Sequence, residues 1–511
     1  MYWADQIARS VVKLRGEKKP YTVAAGITPS GTVHIGNFRE MITVDLVARA
    51  LRSLGKEVRF IYSWDDYDRL RKVPANVPKQ EELKKFFGQP VTDVPDTFGC
   101  HSSYAEHMER EVSDALPIVG IKPEFIFQAK MYRACKYAEQ IKEALLAREK
   151  IRQVLDKFRT EELGENWYPL NVFCEKCKTD DGRVTDYDGE YTVKYECPCG
   201  NKGSVNFKKK GIVKLPWRVD WPMRWHYEKV DFEPGGKEHS TPGGSRDTAA
   251  AIVKAVWNDE APIYQMYDFV ISKGGGKMSK SLGNAIKLTD VLQIYLPEII
   301  RFFFAGTKPA KEFSIAMDEE IFKVYEDFYQ TERIYFDKEK SSRAAHWSRV
   351  YEMSCVDGPP KEMPVQPNFK HCAELISIYG KPETALKGVK EKLSKADKER
   401  YLAILRCAKS WTEKYAPGEY RFTLNETAPD AKLTEKQRAA LRELGEEIFN
   451  ADNEDELVEI FKEIAKGNGL ETKDFFRACY LVLIGRERGP RLAPFIMAAD
   501  REKIAKLLQH L

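Results

Sequence analysis

A strand–helix–strand pattern near the start of the chain constrains its fold more than any other feature. Residues Tyr21–Thr28 (YTVAAGIT) form an apolar, strand-like run that Pro29-Ser30-Gly31 interrupts. A helical pattern then extends from about Val33 to Leu54, and Glu57–Ser63 again has the character of a buried strand. The pattern predicts a βαβ unit with a glycine-containing turn before the helix, which is where α/β folds hold the phosphates of nucleotides.

The first turn of the predicted helix carries two hydrogen-bond donors and a glycine. His34 and Asn37 are three positions apart and share one face of the helix start. Both side chains can donate to phosphate oxygens, and Gly36 allows a nucleotide base to approach the backbone. We predict that His34 and Asn37 act on a bound nucleotide. An ordinary helix-start histidine is the alternative for His34 taken alone.

A second, basic motif comes much later in the chain. Lys277-Met278-Ser279-Lys280-Ser281 follows a predicted strand (Gln265–Ser272) and three consecutive glycines. Lysines on such a loop can stabilise the charge that develops on migrating phosphates. We assign Lys280 to that charge and Lys277 to charge compensation and loop closure, while Ser279 offers a hydroxyl and an N–H. A solvated basic loop is the alternative.

A third glycine-containing segment, Gly243-Gly244-Ser245-Arg246-Asp247, begins a predicted helix that extends to Trp257. Gly244 permits close contact with a ribose, and Asp247 is suited to accept hydrogen bonds from ribose hydroxyls. A capped helix start without a ligand explains the same residues.

Two clusters have the composition of metal sites. Cys174 and Cys177, then Cys197 and Cys199, have nearly the spacing of a zinc ribbon and predict one closed, structural Zn²⁺ site. Asp96, Cys100, His101 and His107 are all possible zinc ligands, but their spacing is less regular. A polar cluster without metal is the competing interpretation for the second set.

Bulk properties exclude several classes. The net charge of +4 is small for 511 residues, so binding to nucleic acid must use local patches. The chain lacks any stretch of about 20 apolar residues, and its amphipathic N-terminus does not resemble a signal peptide. These properties predict a cytoplasmic protein that does not enter membranes, and we favour a monomer.

Taken in this order, the His34 and Lys277 motifs resemble the two ATP signatures of class I aminoacyl-tRNA synthetases. The resemblance is strongest to the archaeal-type class I lysyl-tRNA synthetases, and its carriers are Ala25–Glu40, Trp217–Pro222, Gly235–His239 and Lys277–Ser281. It implies ligation of lysine to tRNA(Lys) through a lysyl-adenylate, with ATP as substrate and Mg²⁺ and Zn²⁺ as cofactors. Most families of the class have a second histidine where this chain has Asn37, which keeps a donor but cannot titrate. The predicted ATP-binding residues are Pro29, Ser30, Gly31, Gly36, Gly244, Asp247, Met278, Ser279 and Ser281.

The resemblance also implies a domain plan and a lysine site. The fold class is an α/β Rossmann-type catalytic domain with a zinc-containing insertion, followed by an all-α anticodon-binding helix cage. We expect the first Rossmann half at 1–95, the insertion at 96–210, the second half at 211–260, the loop and stem-contact region at 261–335 and the helix cage at 336–511. Lysine binding is implied for Gly26, Thr28, Trp217 and His239.

A buried ammonium needs a negative partner. Carboxylates at the ends of predicted strands are Asp65 and Asp66 after Glu57–Ser63, Asp220 after Gly211–Val219, and Glu238 beside His239. Capping, or contact with the insertion, is the alternative for Asp65 and Asp66.

Alternatives stay open for the role of residues 336–511, which we call the tail, and for the overall function. Arg486, Arg488, Arg491, Phe475 and Phe476 are candidates for contacting anticodon bases, although most phenylalanines of the tail should be helix core. The alternative functions are a class I synthetase for another amino acid such as glutamate, a nucleotidyltransferase, and a tRNA-binding paralogue without catalytic activity.

Overall fold

A computed structural model describes residues 1–271, 286–389, 392–421, 424–427, 429 and 431–511. The predicted loop residues Lys277, Met278, Ser279, Lys280 and Ser281 lie outside these ranges. The described strands are β1 (Tyr21–Ile27), β2 (Val58–Trp64), β3 (Glu124–Phe127), β4 (Asn171–Val172), β5 (Gly182–Tyr187), β6 (Thr192–Glu196), β7 (Lys202–Asn206), β8 (Val213–Lys214), β9 (Val230–Gly236), β10 (Ile263–Tyr267), β11 (Val270–Ile271) and β12 (Phe313–Ser314).

The helices precede, connect and follow these strands. They are α1 (Trp3–Arg15), α2 (Ile35–Ser53), α3 (Gln80–Lys84), α4 (Tyr104–Ser113), α5 (Gln128–Arg133), α6 (Ala138–Leu146), α7 (Arg148–Asp156), α8 (Trp217–Glu228), α9 (Ser245–Trp257), α10 (Leu288–Val291), α11 (Pro297–Gly306), α12 (Ile321–Tyr335), α13 (Ala344–Ser354), α14 (Phe369–Tyr379), α15 (Pro382–Lys387), α16 (Lys395–Lys414), α17 (Glu435–Glu447), α18 (Glu454–Gly467), α19 (Thr472–Ile484), α20 (Leu492–Ala498) and α21 (Arg501–Gln509).

A parallel sheet in the order β10-β9-β1-β2-β3 forms the centre of the first compact unit. This unit comprises residues 1–291, 300–315 and 340–359. The βαβ prediction is confirmed, since β1 and β2 are adjacent and α2 connects them. The carboxyl ends of β1, β2, β9 and β10 meet at one edge, which is where such sheets bind ligands.

Two secondary-structure predictions for the residues between β3 and β9 are wrong. Gly211–Val219 is not a strand: only β8 remains of it, paired antiparallel with β4, and Pro216 caps helix α8. Trp217, Val219 and Trp221 alternate along the sequence as the large residues of a strand do. In the structure they belong to α8, in which every residue from 219 to 225 is buried, so the helix has no polar face there that would reveal its period. The sequence pattern also predicts one long helix over about Arg133–Leu155. The structure instead has α5, α6 and α7, and Cys135, with φ of 55°, follows the end of α5.

An antiparallel sheet in the order β7-β6-β5-β4-β8 takes four of its strands from the predicted insertion, and its edge strand β8 follows directly after it. Buried residues from its strands join those of α6 and α7 in one apolar core. The insertion therefore has a hydrophobic core to which its cysteines are attached.

The second compact unit comprises residues 292–299, 316–339 and 360–511 and is helical in the part of it that the structure describes. The amphipathic pattern of the sequence predicts helices at Glu435–Phe449, Glu454–Ala465 and Asp474–Leu483. They are confirmed as α17, α18 and α19, which share an apolar core with α20 and α21. Residues 340–359 belong to the first unit, although the sequence pattern places them in the tail. Among described residues, no helix is long and apolar enough to cross a membrane.

Candidate functional site

Helix α2 begins at the carboxyl edge of the parallel sheet with a reciprocal cap made by His34 and Asn37. The His34 Nδ1 atom accepts a hydrogen bond from the Gly36 N–H at 3.1 Å, and the Asn37 Oδ1 atom accepts from the His34 N–H at 3.3 Å. Because Nδ1 is an acceptor, a neutral His34 carries its proton on Nε2. The cap thus fixes the His34 tautomer and reserves the Asn37 amide NH₂ for donation.

Gly36 is required by His34 itself. A Cβ atom at Gly36 would lie 2.9 Å from two atoms of the His34 ring. The glycine therefore allows the imidazole to fold over the helix start, a constraint that the sequence interpretation did not foresee.

The described residues on both sides of the 272–285 segment lie close to this helix start. The Ile286 carbonyl accepts from the Ile35 N–H at 2.8 Å, and Lys287 forms an isolated bridge with His34. Arg39 of α2 is 1% exposed and donates to the carbonyls of Asp268 and Phe269, at 2.8 and 2.9 Å, just before β11. The described residues on the two sides of 272–285 are therefore held against the first two turns of α2.

A small cavity of about 50 Å³ lies at the carboxyl edge of the sheet. It holds only one or two water molecules, so a larger ligand enters when side chains move. The lining includes three of the predicted lysine-binding residues that the resemblance supplied, together with Asp65. The lining residues are Gly26, Glu40, Ser63, Asp65, Trp217, Trp221, Arg224, Glu233, Pro234, Gly235 and His239.

Two carboxylates of this cavity, Glu40 and Glu233, were missed by the sequence analysis. Glu40 accepts from the Gly26 N–H at 3.1 Å and from the Tyr267 hydroxyl at 2.8 Å. Glu233 accepts from two indole N–H groups, that of Trp221 at 3.1 Å and that of Trp225. Within the described residues neither carboxylate has a cation within ion-pair distance. Burial raises the pKa of Glu40 to about 8 and also raises the pKa of Glu233.

The third carboxylate of the cavity, Asp65, is compensated. Its Oδ1 atom lies 2.5 Å from Arg224 Nη1. Asp220 is 1% exposed and pairs with Arg224 at 3.5 Å and Lys214 at 3.3 Å, and Lys214 pairs with Asp68 at 2.9 Å. Arg224 and Lys214 thus pair with three carboxylates, those of Asp65, Asp68 and Asp220. Asp220 is not among the residues that line the cavity.

The other residues considered for the lysine site are hydrogen-bonded within the protein, exposed or packed against an aromatic ring. The Thr28 hydroxyl donates to Asp68 at 3.0 Å, and Asp66 accepts from the Ala129 N–H at 2.7 Å, as the capping alternative expects. Glu238 is exposed. His239 lies 5.8 Å from Trp221 between ring centroids, and burial lowers its pKa.

Gly244 and Asp247 form a capped turn before α9. The Asp247 carboxylate accepts from the Gly243 N–H at 2.9 Å. A Cβ atom at Gly244 would lie 2.7 Å from the Thr241 carbonyl oxygen. The local geometry by itself explains both residues, and the ribose contact stays a prediction.

The two predicted metal clusters are each brought together. The sulfur atoms of Cys174 and Cys199, and those of Cys177 and Cys197, are 3.6 Å apart. Tetrahedral coordination with Zn–S bonds of about 2.3 Å requires about 3.8 Å between sulfurs, so the four thiolates fit zinc.

In the second cluster the ligand atoms of Asp96, Cys100, His101 and His107 lie within 4.8 Å of one another. The Cys100 sulfur is 3.1 Å from His101 Nδ1 and 3.2 Å from His107 Nδ1. Asp96 also accepts from the backbone N–H groups of Phe98, Cys100 and His101, so it organises the loop with or without metal.

Comparison with known proteins assigns the chain to a family. The model of the family tRNA synthetases class I (K) matches residues 1–357. The chain is 44% identical, over 99% of its length, to 98% of a lysine–tRNA ligase from Borrelia garinii subsp. bavariensis. It is 41% identical, over its whole length, to 99% of a lysine–tRNA ligase from Pyrococcus horikoshii. A solved glutamate tRNA ligase from Elizabethkingia meningosepticum has 14% identity and a TM-score of 0.49, covering 96% of this chain and 99% of that one.

The parallel sheet, its glycine-turn helix start and the helical second unit are those of a class I aminoacyl-tRNA synthetase. The chain belongs to the family of class I tRNA synthetases (K). The fold class predicted from the sequence is thereby confirmed.

Proposed function

We propose that this protein ligates lysine to tRNA(Lys) through a lysyl-adenylate, with Glu40 and Glu233 as the partners of the substrate's ammonium groups. One observation carries the choice of lysine: two carboxylates, the buried Glu233 and the partly buried Glu40, line the cavity, and neither has an ion-paired cation among described residues. Burial of a charge without a partner is costly, so such groups are kept where a ligand supplies the opposite charge. The relatives named lysine–tRNA ligase agree with this choice.

The same charges argue against glutamate as the substrate. A glutamate side chain would bring a further carboxylate beside two whose pKa values are already raised by burial. Arg224 also lines the cavity, but its guanidinium already pairs with Asp65 and Asp220, so it is less available to a further carboxylate. Trp217 and Trp221 stack at 5.1 Å and give the cavity an aromatic wall suited to an aliphatic stem that ends in a cation.

Activation of lysine requires attack by its carboxylate oxygen on the α-phosphorus of ATP, with pyrophosphate leaving. We assign the His34 Nε2–H and the Asn37 amide to phosphate oxygens near the start of α2, where the helix dipole also favours negative charge. Both act electrostatically, so no proton needs to move from either. Lys277 and Lys280 are predicted to stabilise the leaving pyrophosphate. Mg²⁺ is predicted to accompany the ATP phosphates.

Transfer completes the reaction. A ribose hydroxyl at the 3′ end of the tRNA attacks the carboxyl carbon of the adenylate, an ester bond forms, and AMP leaves while the hydroxyl proton passes to AMP or solvent. The second unit is proposed to bind the anticodon. A cavity of about 540 Å³ between α18, α19 and α20 is lined by Phe476, Arg488 and Arg491, three of the predicted base-contacting residues. Phe475 is fully buried in the helical core and is not one of them.

Zinc is proposed for both clusters as a structural ion. Cys174, Cys177, Cys197 and Cys199 would hold one Zn²⁺ and tie the two turns of the antiparallel sheet together. Asp96, Cys100, His101 and His107 would hold a second ion at the start of α4. Structural zinc contributes on the order of 10 kcal/mol, enough to maintain either turn.

Amino-acid-dependent exchange of pyrophosphate into ATP tests the proposal. A panel containing lysine, glutamate, arginine and glutamine should be run with and without tRNA, since some class I synthetases activate only when tRNA is bound. We expect exchange with lysine alone. Exchange driven by glutamate or arginine would refute the substrate, and the absence of exchange with every amino acid and tRNA would refute the enzyme.

A further inference from the structure

Helix α4 contacts both sides of the start of α2 through residues to which the functions above give no role. Tyr104 is 0% exposed, and its hydroxyl donates to the Ser30 carbonyl at 3.1 Å, in the turn before α2. Glu111 forms an ion pair with Lys287, which makes the isolated bridge with His34. One helix is thereby attached to the two backbone segments that flank the first turn of α2.

The two contacts come from one face of α4. Tyr104 and Glu111 are seven positions apart, and His107 lies between them, so the three side chains follow the spacing that places residues on one side of a helix. His107 belongs to the second predicted metal cluster, and it is close enough to Glu111 and Lys287 for both charges to act on its ring. The cluster at the start of α4 and the two contacts therefore lie along the same side of the helix.

Lys287 transmits this attachment to the start of α2. Its N–H donates to Asp290 Oδ2 at 3.0 Å, and the neighbouring Ile286 carbonyl accepts from the Ile35 N–H at 2.8 Å. The side chains of Lys287 and Glu111 are 36% and 17% exposed. Partly exposed ion pairs contribute little to overall stability, so this pair is better suited to setting the position of a segment than to holding the fold together.

We propose that Tyr104 and Glu111 are positioning residues for ATP, and that α4 uses them to hold the Ser30 turn and the start of α2 at the spacing that the phosphates need. The inference rests on the proposed function, in which side chains at the start of α2 act on phosphate oxygens. Neither residue is suited to touch ATP itself, since the Tyr104 hydroxyl is engaged by the Ser30 carbonyl and the Glu111 carboxylate would repel phosphates. A misplacement of phosphate-binding groups by about 1 Å can lower a rate about 10²-fold.

ATP binding and adenylation in Glu111 and Tyr104 variants test the positioning role. The E111Q variant keeps the shape of the side chain but removes its charge, and Y104F removes the hydroxyl that reaches Ser30. In both variants the turnover number for lysine-dependent pyrophosphate exchange should fall about 10- to 100-fold and the Kd for ATP should rise, because the phosphate-binding groups shift. E111Q is the decisive variant, since its ion pair is partly exposed, whereas Y104F also leaves a buried carbonyl without its donor.

Lysine affinity and stability separate positioning from a general structural role. The residues that line the lysine cavity include none from α4, so the Kd for lysine in E111Q should equal that of wild type. The melting temperature of E111Q should also stay close to the wild-type value. A parallel loss of ATP affinity, lysine affinity and melting temperature would overturn the inference.

A double-mutant cycle shows whether Glu111 acts through Lys287. If Lys287 only carries the attachment, E111Q/K287Q should bind ATP no more weakly than either single variant. Multiplied losses would mean that Lys287 contacts the phosphates directly, and they would overturn the inference, as would unchanged or tighter ATP binding in E111Q. The matched control is D114N, because Asp114 ends the same helix, is 73% exposed and lies 4.0 Å from Arg110. Neither ATP binding nor exchange should change in this control.

The ATP titrations are independent of the amino acid. They are made on the full-length protein with Mg²⁺ and without lysine, so they test the positioning role even when no amino acid drives exchange. Failure of the proposed function is seen separately, in the exchange assay on wild type.

Discussion

Replacement of Glu40 by glutamine should weaken lysine binding and stabilise the protein at the same time. The substitution keeps the shape of a side chain that accepts hydrogen bonds from Gly26 and Tyr267, but it removes the negative charge. A hydrogen bond to a charged group contributes about 1.5–3 kcal/mol, so the Kd for lysine should rise roughly 10- to 150-fold. Isothermal titration of lysine gives the Kd directly, whereas KM can include later steps.

The stability change follows from the raised pKa of Glu40. A carboxyl group with a pKa of about 8 in the folded protein, against about 4.5 when unfolded, costs stability that grows as pH rises through this window. Removal of the titrating group should therefore stabilise the first unit by an amount that rises with pH, from about 1 kcal/mol at pH 5.5 to several kcal/mol at pH 8.5. Thermal unfolding followed by tryptophan fluorescence is suitable, because every tryptophan except Trp411 lies in that unit.

The ionisation of Glu40 should also make the lysine affinity of the wild-type protein depend on pH. Because lysine binds the ionised carboxylate, its Kd should fall about 20-fold between pH 6.5 and pH 8.5, and E40Q should lose this dependence on Glu40. Glu57 is an exposed glutamate just before β2, and E57Q is the matched control, with no change expected in either measurement. Unchanged lysine affinity in E40Q would show that Glu40 does not face the ammonium. A lower melting temperature at both pH values would make Glu40 a structural brace.

Three further outcomes test the rest of the site. K280A should lower the turnover number for adenylation by about 10²–10³-fold with little change in KM for ATP. A raised KM at unchanged turnover would mean that Lys280 stabilises bound ATP and the transition state equally. Elemental analysis should find between one and two zinc ions per chain. The C197S variant should lose about one of them, whereas C407S, which changes a buried cysteine in α16, should lose none. Metal-free protein that melts at the same temperature would refute a structural role. Deletion of residues 360–511, which keeps residues 340–359 of the first unit, should impair charging of tRNA. An anticodon change should have a similar effect on the full-length protein, and charging that is indifferent to every anticodon base would leave the tail with a structural role only.

The features that the sequence predicted correctly depend on local patterns. The βαβ unit follows from two apolar runs and the Pro29-Ser30-Gly31 break, all within the first 64 residues. The cysteine cluster follows from spacing alone, because two short turns on antiparallel strands bring the four sulfur atoms together. The tail helices have a regular apolar period and identifiable caps such as Thr434 and Asn453.

The features that the sequence concealed depend on tertiary surroundings. Helix α8 is enclosed on all sides, so no amphipathic period distinguishes it from a strand, and Pro222 inside it argues locally against a helix. The break at Cys135 involves neither glycine nor proline, the usual signals of a helix end. Asp220 looked like a strand-end ligand only while the residues before it were taken as a strand.

Glu40 and Glu233 could have been found by a different criterion. Glu233 stands in VDFEPGG, a strand in which every residue is buried, and a carboxylate there must have a partner. The nearby acids show the contrast: Asp65 and Asp220 share Arg224, while the two glutamates rely on neutral donors such as the indoles of Trp221 and Trp225. Neutral donors stabilise a buried carboxylate only in part, so the free enzyme retains an electrostatic cost that a cationic substrate offsets when it binds. Carboxylates that depend on neutral donors, beside acids that share two cations, therefore indicate both where the substrate binds and the sign of its charge.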